Sequence, residues 1–541
     1  MQKVLTAEQM REVDRLTTEK YGIPSILLME NAAHAVARVI TEKLGGSVRG
    51  HDVVVLCGKG NNGGDGAALA RYLWTQWCDV DIFLFGSLPE TKGDARFNFE
   101  ILQKLSQREP PFYPSMMLYE NAAWGEDLSR AVANSSIIVD ALFGTGLTRP
   151  LDNSFEDLFK AIDAMVPKKR VRPLLCSIDI PSGLNADSAS DFEFCFRPDI
   201  TVAITAPKPG NVLPPNSDRN GELFIGDIGT PFEMPLDTPS QLMLSGKVDL
   251  KGWLRESRFT NVSYKNKRGH TLLIAGSDSY SGAAVLCGNA AMRSGVGLVT
   301  IATPRSSKDS VASRVLPEVM VRGVAETENG AIAASAFAEL QDLLKNADSV
   351  AIGSGISQDE STKKFVQKVI EMRRQPTIID ADALNLLSPF AGPPTNGESQ
   401  NLLILTPHEG EFLRLLGTTD KNAIKNRVAA VRDFATKYQV ILVLKGERVL
   451  IGEPGGKVVV NPTGNSGLGK AGNGDTLTGI LAGFVAQAVK MNIDIFETVV
   501  AAVYIAGMAG DIAEKKYGKR VMTASDVREC LTEVFESVMQ R

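Results

Sequence analysis

Little in this sequence invites cross-linking, a metal cluster or a polyanionic partner. Only six cysteines occur in 541 residues (Cys57, Cys78, Cys176, Cys195, Cys287 and Cys530), scattered and with no CxxC pair. That scarcity excludes a disulfide framework or zinc ribbon and fits reduced core thiols. Four histidines, His34, His51, His270 and His408, are too few for a His-rich metal centre. The 58 Lys and Arg are outnumbered by 63 Asp and Glu, so no basic excess points to nucleic acid. No apolar run approaches the roughly eighteen residues of a membrane span. The opening Met-Gln-Lys-Val-Leu-Thr-Ala-Glu lacks the apolar core of a secretory signal, so a cytoplasmic protein without a membrane partner is expected. Low-complexity tracts and short repeats are absent too.

What is there is an ordinary globular composition, 44% apolar and 22% charged, in a chain long enough for two to four domains. Its most informative stretch is Asn461-Pro-Thr-Gly-Asn-Ser-Gly-Leu-Gly-Lys-Ala-Gly-Asn-Gly-Asp475, which runs into the apolar segment Thr476–Phe484. A glycine-dense loop opening a helix points several unpaired N–H groups and the positive end of the helix dipole at one spot. Asp475 stands where it could take a proton from a hydroxyl held there. Gly464–Ala471 approaches a Walker A loop, but Ala471 occupies the place of the magnesium-binding Ser or Thr. A glycine turn that merely caps a buried helix is the alternative for these residues alone.

From the N-terminus, Thr6-Ala-Glu-Gln9 has the form of a capping box, predicting a helix to about Lys20. A second helix is expected from Ser25 to Leu44, with Leu27, Leu28, Ala32, Ala35, Val36 and Ile40 inward. Glu30, Asn31 and His34 near its start are functional or simply satisfied. Asp52–Cys57 reads as a buried parallel strand, followed by the loop Gly58-Lys-Gly-Asn-Asn-Gly-Gly-Asp-Gly66 and a helix over 67–74. Gly58-x-Gly60-x-x-Gly63 is a weak dinucleotide fingerprint. Asn61, Asn62 and Asp65 suggest direct ligand or cation contacts besides. Later strands are expected at 80–85, 136–140 and 174–179, with helices over 95–106 and 155–165. The strand at 136–140 ends on Asp140, before the turn Gly144-Thr-Gly-Leu-Thr-Arg-Pro150; that at 174–179 ends on Asp179, before Ile180-Pro-Ser182. Three polar glycine turns at strand ends belong to the carboxyl edge of one sheet, where open α/β folds bind ligands. Strands at 200–204 and 222–226 complete this part.

Pro231, Pro235 and Pro239 mark a loss of periodicity between about 229 and 257. Residues 1–236 are expected to be one domain, 237–250 a linker and 251–541 a second domain. There the α/β rhythm restarts at His270–Gly276, with strands at 297–302, 349–352, 376–380, 402–405, 439–444, 449–452 and 457–460. Polar turns close several of them: Gly353–Gly355, Asp380-Ala-Asp382, Thr406–Glu411 and Lys445–Glu447.

These motifs together are similar to a known family over almost the whole chain. The N-terminal half resembles the YjeF N-terminal domain, an NAD(P)H-hydrate epimerase, through Asn61–Asp65, Asp140, Gly144–Pro150 and Asp179–Gly183. The C-terminal half resembles NAD(P)H-hydrate dehydratases of the ribokinase-like superfamily, through Gly276–Ala284, Asp380–Asp382, Thr406–Glu411, Leu444–Gly446 and Ala471–Asp475. Asn473 departs from the small residue often found in that loop, a harmless change if the Gly472 and Gly474 amides do the work. The resemblance implies a Rossmann-like three-layer α/β/α domain joined to a ribokinase-like α/β domain, and repair of NADH and NADPH hydrated at C6. One domain interconverts the two epimers; the other dehydrates the S epimer at the expense of ADP, giving AMP and phosphate.

Site residues follow from the same resemblance. In the epimerase, Asn61, Asn62, Gly63, Gly64, Asp65, Gly144, Thr145, Gly146, Leu147, Thr148, Arg149, Pro150 and Asp179 would bind substrate, with Asp179 the acid/base. Asn62, Asp140 and Ser182 would hold a potassium ion, a hard cation suited to oxygen ligands. In the dehydratase, Ala283, Gly355, His408 and Asp475 would bind the hydrate, with Asp475 the base. Lys445, Gly446, Glu447, Arg448, Val449 and Gly474 would bind ADP with magnesium, or ATP, which nothing in the residues excludes. A homo-oligomer is expected. The rival readings are a vitamin-precursor or sugar kinase, told apart by a phosphorylated product, and a binding module, in which the polar loops would be eroded.

Overall fold

The structure, a computed structural model, describes residues 1–107, 114–147, 149–169, 171–188, 194–393 and 402–539. It divides into two compact units, Lys3–Ser240 and Gln241–Arg541, with Met1 and Gln2 counted in the second.

The N-terminal unit is built on seven parallel strands: β1 (Asp52–Cys57), β2 (Asp79–Leu84), β3 (Met116–Tyr119), β4 (Ile137–Ala141), β5 (Leu174–Ile178), β6 (Ile200–Ile204) and β7 (Glu222–Gly226). Their order is β3-β2-β1-β4-β5-β6-β7, the doubly wound arrangement whose direction reverses between β1 and β4. The side-chain period of two sorts each strand between two cores. Val53, Val55 and Cys57 face one hydrophobic cluster, and Val54 and Leu56 face another across the sheet. Three layers result, as expected. The short strand β3 and the helix Glu126–Asn134, which buries Leu128 and Val132 four residues apart, add to the elements expected from the sequence.

Helix α1 (Ala7–Tyr21) begins with the expected capping box: Gln9 N–H donates to Thr6 Oγ1 and Thr6 N–H to Gln9 Oε1. Helix α2 (Ser25–Lys43) buries Leu28, Ala32, Ala35, Val36 and Ile40, but Leu27 is 51% exposed. Its polar residues have structural partners. Glu30 pairs with Arg71, Asn31 donates to the Ile228 carbonyl, and the His34 ring packs on Tyr72 at 4.2 Å. Helix α3 (Asn61–Thr75) corrects the expected loop, because the glycines lie inside its first turns. A Cβ on Gly63 would stand 1.8 Å from the Gly58 carbonyl oxygen, and one on Gly66 2.5 Å from Ala141 Cβ. Close packing on β1 and β4, more than loop flexibility, is what demands glycine here.

The C-terminal unit holds an eleven-stranded sheet whose edge begins at Gln2. Its labelled strands are β8 (Leu242–Leu244), β9 (His270–Ile274), β10 (Leu298–Pro304), β11 (Met320–Val324), β12 (Ser349–Ile352), β13 (Thr377–Ile379), β14 (Leu403–Leu405), β15 (Ile441–Leu444), β16 (Leu450–Gly452) and β17 (Val458–Val460). Inward from β8 they run β17-β16-β15-β14-β13-β12-β9-β10-β11, with only β16 antiparallel to its neighbours. Residues 237–250, expected as a linker, therefore carry β8, which pairs with β17, and the start of the helix Lys247–Glu256. Helices α4 (Ser281–Arg293), α5 (Glu409–Leu415), α6 (Arg427–Tyr438), α7 (Asn473–Met491) and α8 (Ile495–Tyr517) position the functional loops.

Helix α8 qualifies the expectation about membranes. Within its 23 residues an 18-residue stretch reaches a mean hydropathy of 1.6, enough by length and composition to cross a bilayer. Two-thirds of that stretch is buried inside the unit, where Val499, Val503, Ile505 and Ala509 join the core with α7. All six cysteines are free and buried.

Candidate active sites

In the N-terminal unit, the turns after β1, β4, β5 and β6 converge at the carboxyl edge. Asp140 ends β4 fully buried. Ser177 Oγ and Ser182 N–H each donate to its Oδ2 at 2.8 Å, while Ser182 Oγ and Leu142 N–H donate to Oδ1. Burial pushes its carboxyl above the ordinary range, and those bonds pull it back. No Lys or Arg forms an ion pair with it among the described residues. Ser182 also ties down the β4 turn, accepting from Phe143 N–H at 2.9 Å. Asn62 is buried on α3 with Nδ2 unpartnered, and its Oδ1 would lie 3.3 Å from a Cβ on Gly144. The structure thus brings Asn62, Asp140, Ser182 and the Gly144–Leu147 turn together. Asn61, Arg149 and Pro150 are exposed, and Thr148 lies outside the described residues.

Asp179 follows β5 with φ of +67°, a conformation a non-glycine residue keeps only when its surroundings hold it there. They do so here from several sides. Ile204 N–H donates to Oδ1 at 3.1 Å, Asn211 Nδ2 to its carbonyl at 3.2 Å, and the Lys208 ammonium to Oδ1. Lys208, 1% exposed, also donates to the Ile204 carbonyl at 2.9 Å. Sequence reasoning missed this lysine. The signal was a fourth polar turn, Thr205-Ala-Pro-Lys208, closing β6 as the others close theirs. Asp65 faces the same charges; burial first, then Asp179 and Asp14, push its carboxyl well above the usual range against the pull of Lys208.

In the C-terminal unit, Gly472 caps α7 with φ of +91°, and Asp475 sits in the first turn. Burial pushes the Asp475 carboxyl up to about 6, with Asp380 and Asp382 adding and the Ser354 hydroxyl and Lys445 opposing. Beneath it lies a buried pair. Lys445 Nζ donates to Asp380 Oδ1 at 2.7 Å, where Thr406 Oγ1 also donates, and Thr478 Oγ1 donates to Oδ2, each at 2.8 Å. Burial opposes the Lys445 charge, but Asp380, Glu411 and Asp475 outweigh it and hold its pKa above the ordinary value. A Cβ on Gly474 would come within 3.6 Å of that ammonium. Asp382 is occupied elsewhere, accepting from Ser357 N–H at 3.0 Å and Gln358 Nε2 at 3.2 Å.

His408 caps α5. The N–H groups of Gly410 and Glu411 point at its Nδ1 at 3.0 and 3.3 Å, so Nδ1 is the acceptor and Nε2 carries the proton. Ala283 and Gly355 are apposed: a Cβ on Gly355 would lie 2.9 Å from that of Ala283, and its φ is +66°. The turn Lys445–Val449 is held by Arg427, missed in the sequence, which donates to the Glu447 carbonyl at 2.6 Å. Arg448 has φ of +51° and donates to the Pro462 carbonyl. Asn473 staples the loop by donating to the Leu468 carbonyl at 3.1 Å. A cavity of about 860 Å³ lined by His34, Arg38, Arg49, Tyr72 and Trp77 contains none of the expected site residues.

Comparison with known proteins bears on both halves. The family described as YjeF-related protein N-terminus matches residues 25–210, and NAD(P)H-hydrate dehydratase matches 271–533. A bifunctional NAD(P)H-hydrate repair enzyme of Moorella thermoacetica is 35% identical over 537 residues, covering 99% of this chain and 97% of that one. The enzyme of the same description from Thermofilum pendens is 32% identical, covering 100% and 98%. Among solved structures, an ADP/ATP-dependent NAD(P)H-hydrate dehydratase from Bacillus subtilis, co-crystallised with ATP and magnesium, is 30% identical. It covers 55% of this chain and 98% of its own, with a TM-score of 0.47.

Proposed function

This chain belongs to the bifunctional NAD(P)H-hydrate repair enzymes, and we propose that it carries out both halves of that repair. The N-terminal unit interconverts the C6 epimers of hydrated NADH and NADPH; the C-terminal unit dehydrates the S epimer at the expense of ADP, yielding AMP and phosphate. Relatives aligned end to end over both units favour this over a vitamin or sugar kinase.

The observation that carries the dehydratase reading is Asp475, raised to about 6 at the opening of α7 and beside Gly474. A carboxylate with that pKa is mostly ionised at neutral pH, yet basic enough to take the C6 hydroxyl proton. The oxygen then accepts the phosphoryl group, the ring nitrogen lone pair expels phosphate, a far better leaving group than hydroxide, and loss of a C5 proton to water forms the C5=C6 bond as the electrons return to the nitrogen. The Ala471–Gly474 amides and the helix dipole face the phosphoryl charge, and Lys445, locked by Asp380, adds a fixed cation. Ala283, Gly355 and His408 hold the hydrate, while Lys445–Val449 and Gly474 hold the nucleotide. Magnesium would accompany ADP and neutralise its phosphates. Asp380, whose charge is already matched by the Lys445 ammonium, does not fit as a ligand; Glu411, 6% exposed and 3.9 Å from Lys445, fits through water.

In the N-terminal unit, Asp179 is the acid/base for loss and return of the C6 hydroxyl, between the Asn61–Asp65 and Gly144–Pro150 segments. Asn62, Asp140 and Ser182 fit a potassium ion, because Asp140 is a buried carboxylate with oxygen neighbours and no ion pair among the described residues. The ion would supply the missing counter-charge and fix the Ser182 turn. The test is recovery of absorbance at 340 nm from a mixed-epimer hydrate with ADP and magnesium, repeated with ATP. Full recovery supports both activities, recovery of the S fraction alone removes the epimerase, and no recovery refutes the reading.

A further inference from the structure

Helix α1 contributes a carboxylate to the N-terminal site that none of the glycine-loop motifs contains. Its buried stripe runs Met10, Val13, Thr17, and Asp14 lies within that stripe, four residues after Met10 and three before Thr17. The stripe is pinned to the turn that carries Lys208. Leu5 N–H donates to the Pro207 carbonyl at 3.0 Å, Ala7 N–H to Asp187 Oδ1 at 2.6 Å, and Leu5, Met10 and Val13 pack with Ala206 and Met234. Yet Asp14 itself stays open to solvent while Val13 is 1% exposed. Asp14 therefore borders the face by which α1 packs on the Lys208 turn. The charges of Lys208 and Asp179 act on it, and Asp14 in turn acts on Asp65. Three acids from α1, α3 and the β5 turn thus share the field of one buried ammonium. Glu12, on the same helix, is paired with Arg15, and Lys3 donates to the Leu236 and Thr238 carbonyls.

We propose that Asp14 is the second acid/base group of the epimerase, working opposite the Asp179–Lys208 pair. The assignment rests on the epimerase reading above. Inverting C6 needs proton transfer at both ring faces. One carboxylic acid protonates the departing C6 hydroxyl, the C6–O bond breaks, and water leaves as the N1 lone pair forms the N1=C6 bond. Water then adds to the other face, forming a new C6–O bond and giving its proton to the carboxylate there, while the N1=C6 electrons return to N1. No outside reactant is consumed. Asp179 is tied to Lys208; Asp14, which partial desolvation by the surrounding protein raises to about 6 against the pull of Lys208, is suited to hold the proton.

The test uses the full chain and pure R-hydrate with ADP and magnesium, so that conversion to the S epimer is read as 340 nm recovery. Asp14→Asn should slow recovery from R-hydrate by roughly a hundred-fold or more, the typical weight of a positioned acid or base. Recovery from S-hydrate should not change. In the wild type the R-dependent rate should fall as pH rises above about 6, and this limb should vanish in Asp14→Asn. Asp14→Glu should restore part of the rate together with the limb. A wild-type chain that does not interconvert the epimers refutes the epimerase reading and this assignment with it. An active wild type beside an Asp14→Asn variant that keeps most of its rate, or loses rate with the pH profile unaltered, overturns Asp14 alone.

Discussion

Each unit keeps an aspartate–lysine pair at the carboxyl edge of its sheet, and the two pairs are wired differently. In the C-terminal unit Asp380 is saturated by Lys445, Thr406 and Thr478, leaving Asp475 as the free acid above the pair. In the N-terminal unit the lysine-bound acid is Asp179 itself, held in a positive-φ backbone, with Ile204 N–H and the Lys208 ammonium donating to its carboxylate and no hydroxyl doing so among the described residues. The second buried acid differs as well. Asp140 has four hydrogen-bond donors and no ion pair among the described residues. Under the proposed roles, the lysine is a scaffold in one unit and the partner of the reacting acid in the other, and the remaining hydrogen bonds of the aspartate distinguish the two. Where the aspartate is satisfied on both oxygens, the pair is a fixed platform and the proposed chemistry passes to a neighbour.

The sharpest way to break this comparison is Asp475→Asn, which preserves size while removing the base. Recovery from S-hydrate should fall about a hundred- to ten-thousand-fold. ADP affinity by calorimetry and epimerisation should hardly change. Near-normal dehydration would reduce Asp475 to a helix cap and make Asp380 the acid to examine.

Next in size is the loss of either lysine. Removing one partner of a buried pair typically costs about 3–5 kcal/mol, so Lys445→Met and Lys208→Met should each destabilise their own unit in urea titrations. The platform view adds a distinction. Asp380→Leu combined with Lys445→Met should regain stability without activity, whereas Lys208→Met should abolish epimerisation at any temperature at which the unit is folded.

Asp140→Ala should remove the potassium dependence of epimerisation and leave dehydration intact. An unchanged cation response would leave Asp140 as a lock for the Ser182 turn only. A smaller effect tests the unit boundary. A fragment beginning at Gln241 should melt at a higher temperature than one beginning at residue 251, which lacks β8, the first turn of the helix Lys247–Glu256 and the buried Leu250. Equal melting temperatures would make β8 dispensable.

The mildest prediction concerns pH. Asp475 must be ionised to act as base, so the dehydration rate should climb as pH rises through about 6 and level off above it. For stability the sign is opposite. A carboxyl raised from 3.8 to about 6 favours the folded state below 3.8, and that contribution is lost as pH rises through about 6.

Strand-end turns, glycine placement and the Asp475 loop were legible because each is a local pattern: an apolar run of period two, then glycine, then an acid. The sequence by itself therefore determined the α/β class, most strands, and which polar loops gather at the carboxyl edges of the sheets. What it could not show is how α3 uses its glycines, since Gly63 and Gly66 read as a flexible loop until β1 and β4 press against them. Lys208, Arg427 and Asp14 were invisible for a related reason. One lysine in a turn, one arginine opening a helix and one aspartate on an amphipathic helix look like solvated charge in one dimension. Packing of α1 on the β6 turn brings Asp14 into the field of Asp179 while leaving it open to solvent, and only packing of the β6 turn around Asp179, and of α6 against the Lys445–Val449 turn, takes water from the lysine and the arginine. Burial makes an isolated charge expensive, so each acquires a partner far along the chain, and partners distant in sequence are decided by the tertiary fold alone.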